Sequence, residues 1–280
     1  MAQPCNPLLT APHRIATVAL TVRDLGRVAG FYRDALGLAP LGEGAGEVTL
    51  GVGRVPLLRL RGDPGAAPGS PREAGLFHTA FLLPSRADLG AWLAHAAALD
   101  LPLQGAADHL VSEAVYLADP EGNGIEVYAD RPAADWPRAA DGSFAMRNDP
   151  LDSGRLLRLA PERPWRGAPD GTGVGHVHLK VGDLGRADAF YREGLGFGVT
   201  CRYPGATFLG TGGYHHQLAA NIWSSRGVGR RDPRAAGLAE IEVATRRDAL
   251  DAARSRLGGT GGDPLVLEDP WGTCIALVPA

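Results

Sequence analysis

His109-Leu-Val-Ser-Glu-Ala-Val-Tyr116-Leu-Ala-Asp-Pro-Glu-Gly-Asn-Gly-Ile-Glu126 gathers an imidazole, a phenol and several carboxylates into one short run of chain. Glu126 is its informative member. It stands between Ile125 and Val127 in a strand pattern, which puts a carboxylate on the inner face of a curved sheet. There an unpaired charge is costly and calls for a cation, a partner or a proton. For one strand Glu taken alone, the ordinary reading is an ion pair with one of the many arginines. Two histidines weigh against it. His78 lies in the opening strand of the same segment, and His176 stands at the corresponding place in a later one. Flanked by alternating apolar residues, His78 and Glu126 can point into one concavity. Two neutral imidazoles and one carboxylate form the facial triad that binds Fe(II) or Mn(II) and leaves neighbouring positions open. Singly, each His fits a hydrogen-bonded strand residue better; at equivalent places in a repeat, the ligand reading gains. His178, two residues beyond His176 on the same strand face, is either a group orienting the site or an inward-facing His with its own hydrogen bond.

The elements that must position these groups recur along the chain. Val22-Arg-Asp-Leu-Gly-Arg-Val-Ala-Gly-Phe-Tyr-Arg-Asp-Ala-Leu-Gly-Leu38 returns as Val181-Gly-Asp-Leu-Gly-Arg-Ala-Asp-Ala-Phe-Tyr-Arg-Glu-Gly-Leu-Gly-Phe197, about ten of seventeen positions identical. Each copy follows an apolar strand (Ile15 to Val22, Val174 to Val181) and predicts a helix capped by Asp24 or Asp183 and stopped by Gly37 or Gly196. A fainter repeat opens at Gly75-Leu76 and again at Gly237-Leu238. The first copy continues as strand Phe77 to Leu83, helix Arg86 to Leu99, then strand, turn and strand over Tyr116 to Tyr128. The second continues as strand Ala239 to Ala244, helix Arg247 to Leu257 and a turn at Asp269-Pro270-Trp271-Gly272, and is about twelve residues shorter. Gly62 to Gly75 is a loop. Asp130 to Gly173 is a longer Pro/Gly-rich connector, with a short helix expected near Leu151 to Leu159, and should run over the surface across a site mouth.

Composition sets the outer limits. The 280 residues, 45% hydrophobic and 21% charged, have room for one large globular domain or two ordinary ones. A net charge of -3 offers no basic field, so neither nucleic acid nor an anionic membrane is favoured as partner. Cys5, Cys201 and Cys274 form no C-x-x-C pair and suggest neither a disulfide framework nor a thiolate zinc site. With no secretory signal pattern and no bilayer-length apolar run, a cytoplasmic protein is expected.

The four-unit pattern resembles the vicinal oxygen chelate superfamily, which includes glyoxalases, bleomycin-resistance proteins and type I extradiol dioxygenases. The run from His109 to Glu126 is similar to the ring-cleavage dioxygenase motif through His109, Val115-Tyr116, Asp119-Pro120-Glu121-Gly122 and Glu126. Ala107 departs from it. Over nearly its whole length the chain resembles two-domain bacterial catechol-2,3-dioxygenase-like proteins, including the phrases Gly124-Ile-Glu-Val-Tyr-Ala-Asp130 and Gly212-Gly-Tyr-His-His216. The resemblance implies an α+β fold of four βαβββ modules, paired into curved mixed sheets around a metal cavity. It implies an N-terminal domain over residues 1–134 (modules 15–61 and 75–130), a connector 135–171, and a C-terminal domain 172–280 (modules 172–226 and 237–279).

It further implies Fe(II), or Mn(II), held by His78, His176 and Glu126. Tyr116 and His109 would hydrogen-bond the substrate or the oxygen adduct, and either His215 or His216 would be the acid-base group. Gln217 stands where relatives often carry a third His. Asn221 is a candidate to bond substrate, and Trp223, Trp271 and Tyr203 could line an aromatic pocket, although core packing fits them better. His13 and His95 are expected at the surface. The implied activity is extradiol cleavage of a small aromatic diol with O2; the alternatives are a glyoxalase-like isomerase or lyase and an aromatic-drug-binding resistance protein. Assembly into a homo-oligomer is left open.

One expectation comes from the residues alone. The fourth unit offers Glu240 and Ala276 and the first offers Thr17 at the ligand positions, so neither completes a triad. Only units two and three do, which predicts that unit two packs on unit three. Pairing one with two and three with four would split the site unless another subunit supplied the missing His.

Overall fold

The computed structural model of the protein describes residues 6–161, 164–259 and 261–280. The first unit runs β1 (His13–Val22), α1 (Leu25–Leu36), β2 (Ala39–Gly44), β3 (Glu47–Val52) and β4 (Val55–Gly62). The second runs β5 (Gly75–Leu82), α2 (Arg86–Ala98), β6 (Gly105–Asp108), β7 (Ser112–Ala118) and β8 (Gly124–Asp130). In the connector lies α3 (Ser153–Leu159), where a short helix was expected. The third unit follows as β9 (Gly173–Lys180), α4 (Leu184–Asp188), β10 (Gly198–Tyr203), β11 (Ala206–Gly210) and β12 (Leu218–Asn221). The short fourth unit is β13 (Gly237–Thr245), α5 (Arg247–Leu257), β14 (Leu265–Glu268) and β15 (Cys274–Pro279).

Local chemistry sets the helix ends. Asp24 accepts from the Arg27 N–H at the start of α1, and Gly37 closes it at φ 70°, a left-handed conformation that favours glycine. Val28, Tyr32, Ala35 and Leu36 bury the face that the repeat predicted. The second copy departs from the first. Its α4 gives way to a π-helical turn over Ala189–Gly194, which swings Tyr191 into the core. The repeated Tyr ties each helix to a turn. The Tyr191 hydroxyl donates to Asp269 at 2.7 Å, and Tyr32 donates to Asp119 at 3.4 Å. Each Asp also accepts backbone N–H groups of its own turn. The acid of each acid-Pro turn thus locks that turn to the helix of the preceding unit.

The strands form two mixed sheets. One has the order β14-β15-β13-β1-β4-β3-β2 and the other β10-β11-β12-β9-β5-β8-β7-β6. In each, an antiparallel pair joins two units, β1 with β13 and β5 with β9. Units two and three therefore share the eight-stranded sheet, and units one and four the seven-stranded one. The main core takes in Val18, Leu20, Trp92, Val177, Ile241 and Leu250, drawn from both sheets and their helices. His13, expected at the surface, is buried: its ring stacks on Phe197 with centroids 4.7 Å apart, and Nδ1 lies 3.1 Å from Thr245 Oγ1. The apolar strand pattern opens earlier than Ile15 suggested, and His13 shares the inward parity of that strand. His95 is half-buried, with Nε2 2.8 Å from the Asp34 carbonyl. No helix among the described residues is long and apolar enough to cross a membrane.

Candidate metal centre

The pairing of β5 with β9 sets His78 and His176 side by side, and β8 lies parallel to β5 on its other edge. Alternation along β8 directs Glu126 to the same face. The His78 Nε2 is 3.0 Å and the His176 Nε2 3.3 Å from Glu126 Oε2, and the two nitrogens are 3.3 Å apart. All three side chains are buried. Two glycines permit this approach. A Cβ at Gly124 would lie 2.0 Å from the Phe77 carbonyl oxygen, and one at Gly175 would lie 1.8 Å from the Tyr128 hydroxyl.

The donor set fits a divalent cation. No Lys or Arg among the described residues pairs with Glu126, so the ion-pair reading of this residue finds no partner. Burial opposes its charge, but His176 and His78 outweigh burial and hold the carboxyl well below the usual carboxylate range. Burial also drives His176 down to about 4, so at neutral pH that ring is a neutral donor. Two imidazoles and one carboxylate, with ligand atoms within 4.8 Å of one another, make a donor set suited to a divalent cation. His176 and His78, with Glu126, would hold it.

The triad opens into a cavity of about 460 Å³. Phe77, Tyr203, Phe208 and Trp223 give it an aromatic side, and Met146, Arg147 and Asn148 of the connector cover another. The connector therefore contributes part of the cavity lining. Trp223 and Tyr203, for which core packing was the better fit, are 48% and 39% exposed and line this rim; that role belongs to Trp271, which is buried. They stand just beyond β12 and at the end of β10, where the sheet edge no longer covers them.

The other expected residues sort by depth. His109 Nε2 lies 2.6 Å from the Tyr116 hydroxyl, and its Nδ1 lies 2.7 Å from the Arg147 carbonyl, which can only accept. With its proton on Nδ1, the ring accepts the Tyr116 hydroxyl on Nε2. Burial pushes the Tyr116 phenol well above its ordinary range, and the Glu126 carboxylate adds to this. His216 lines the cavity, its ring centroid 4.1 Å from that of His176. His215 sits behind it, fully buried, bridging His216 Nδ1 and Asp130 Oδ1 at 2.8 Å each. Gln217 is buried too; it accepts from the Thr211 N–H and donates to the Thr211 carbonyl, closing the loop that presents both histidines. His178 contacts His78 and is hydrogen-bonded to Asn221.

Sequence reasoning missed Asp130, Phe77, Phe208 and Arg147. Asp130 was within reach, because Glu126, Tyr128 and Asp130 alternate onto one face of β8. The others depend on which loops meet, and no local pattern carries that.

The glyoxalase/bleomycin resistance protein/dioxygenase superfamily pattern matches residues 14–127 and 173–262. The chain belongs to this superfamily. It is 38% identical over 252 residues to a protein of Bacillus subtilis named catechol-2,3-dioxygenase, covering 88% of each chain. Among solved structures, glyoxalase I from Zea mays superposes with a TM-score of 0.58 at 16% identity, covering 97% of this chain and 94% of that one. The cppA protein of Streptococcus pneumoniae gives 0.57 at 12% identity, covering 95% and 98%. These likenesses show a shared fold. Enzymes of the superfamily use a divalent metal, and His78, Glu126 and His176 form a cluster here whose ligand atoms lie within 4.8 Å of one another.

Proposed function

We propose that the protein is an extradiol ring-cleaving dioxygenase acting on a catechol-type diol with O2, dependent on Fe(II) or, second, Mn(II), and working in the cytoplasm. The observation that carries this is the set of ligands in one aromatic-walled cavity, with a fourth sheet position left blank. In β8, Glu126 pairs with Ala80; in β12 the corresponding partner of His178 is Ala219. A second carboxylate there, which an enediolate isomerase would use as base, is replaced by a methyl group. The Bacillus subtilis relative's name supports the same reading.

Fe(II) bound at this triad would supply a centre where diol and O2 meet in adjacent positions. The protein's own groups do the rest. Phe77, Tyr203, Phe208 and Trp223 receive the ring and exclude water. Tyr116, kept protonated by burial, places its hydroxyl oxygen beside Glu126, where it can accept from a hydroxyl of the diol, and the proton it donates to His109 fixes its direction. His216 is the imidazole positioned to hold a proton in the cavity, with His215 and Asp130 fixing its ring from behind. Loading the protein anaerobically with Fe(II), then admitting air with a panel of catechols, tests the proposal. A coloured ring-fission product with matching O2 uptake is expected; no O2 uptake with any diol would overturn it.

A further inference from the structure

We propose that His178 is a substrate-specificity residue, a hydrogen-bond donor locked toward the cavity that selects diols carrying a hydrogen-bond acceptor beside the diol. This rests on the dioxygenase reading for its substrate, but the lock itself is read from the fold. The Trp223 backbone N–H can only donate, and it reaches Asn221 Oδ1 at 3.2 Å. That orients the Asn221 amide, so its Nδ2 faces His178 and donates to Nε2 at 3.0 Å. Two N–H groups cannot face each other at that distance. Nε2 is therefore bare, and the imidazole carries its proton on Nδ1. Among the described residues Nδ1 has no hydrogen-bond partner, and His178 lines the cavity. The donor thus faces the space that the substrate would occupy.

Its surroundings define what it would meet. The His178 ring lies 4.9 Å from those of Phe77 and His78, 5.4 Å from Trp223 and 5.8 Å from Phe208. It is a polar group set into the aromatic side, one ring away from a ligand. A few fixed polar groups in an apolar pocket decide which substituent is accepted. Asn221 is fully buried, and Trp223 contributes its backbone to the lock while its side chain lines the rim. A ring resting on Phe77 and Trp223 would bring the substituent next to its diol past Nδ1.

The test has two arms. Long-range nitrogen-proton NMR of the metal-free protein reads the tautomer directly, with His178→Gln assigning the signal. A protonated Nδ1 is expected in the native chain, and tautomer averaging in Asn221→Leu. A protonated Nε2 in the native chain would overturn the lock. The second arm measures anaerobic dissociation constants of 3-methoxycatechol and 3-ethylcatechol, which match in size, for the Fe(II)-loaded protein. The native chain should favour the methoxy compound by about tenfold. His178→Phe should bring the ratio near one at unchanged metal content, and His178→Gln, which keeps an N–H, should restore part of it. A native ratio near one, or a ratio untouched by His178→Phe, overturns the selection. If neither diol binds, the dioxygenase reading and the selection fall together, while the tautomer still upholds or overturns the lock.

Discussion

At the scale of single residues, Glu126 carries two duties. In the proposed site it would be a ligand when a cation is present, and it is a buried carboxylate partnered by two imidazoles when none is. Glu126→Gln keeps the shape and removes the charge, so its effect should be larger with a cation present than without one. Metal affinity should fall by about a hundredfold or more, read by metal content after dialysis. In chelator, where His78 and His176 still hold the native carboxyl well below its usual range, the variant should unfold at somewhat lower urea than the native chain, a smaller loss than with metal bound. An equal loss of stability with and without metal would mean that Glu126 is simply a packed strand residue. The proposed ligand trio was open to sequence reasoning because each member sits in an alternating strand, where parity alone assigns the face. The choice between His215 and His216 was not. They are adjacent, and only the third dimension shows that one lines the cavity while the other reaches back to Asp130.

At the scale of elements, close approach between strands decides what the site tolerates. Gly175→Ala would drive a methyl group into the Tyr128 hydroxyl, which lies 2.7 Å from that of Tyr214. A stability loss of about 1–3 kcal/mol is expected, partly recovered when Tyr128→Phe removes the colliding oxygen. Additive losses in the double variant would refute the steric account. The seam at β1 responds to pH instead. Burial lowers His13 from 6.5 to about 4 despite a hydrogen bond to the Leu195 backbone that opposes it. Between those values the unfolded chain binds a proton that the folded chain excludes. Stability is thus complete above pH 6.5 and declines as pH falls toward 4, by up to about 3 kcal/mol. His13→Gln should flatten that limb of the curve of unfolding free energy against pH; an unchanged slope would assign it to other groups. Helix α1 was readable from its Asp24 cap and Gly37 stop, and α5 from its apolar spacing. The π turn after α4 and the short strand β6 were not, since both answer to packing and not to local propensity.

At the scale of the whole molecule, duplication has produced two similar sheets with different interiors. The joining of units two and three followed from asking which units could complete a triad, a constraint that residue chemistry imposes on topology. The same reasoning leaves units one and four as a metal-free pair, but what fills that sheet instead could not be seen that way. There Glu240 stands where His78 does, Ala276 where Glu126 does, and Thr17 where His176 does, by strand register. Arg59, in the place of Ala219, reaches Glu240 at 3.5 Å and Glu242 at 3.7 Å, and Arg61 also reaches Glu240. The guanidinium group is a cation supplied by the chain itself, tethered and unable to leave. The consequence is one of stoichiometry: a molecule with two halves and two concave faces should saturate at one ion per chain. Equilibrium dialysis reads this, and a second equivalent retained with comparable affinity would contradict it.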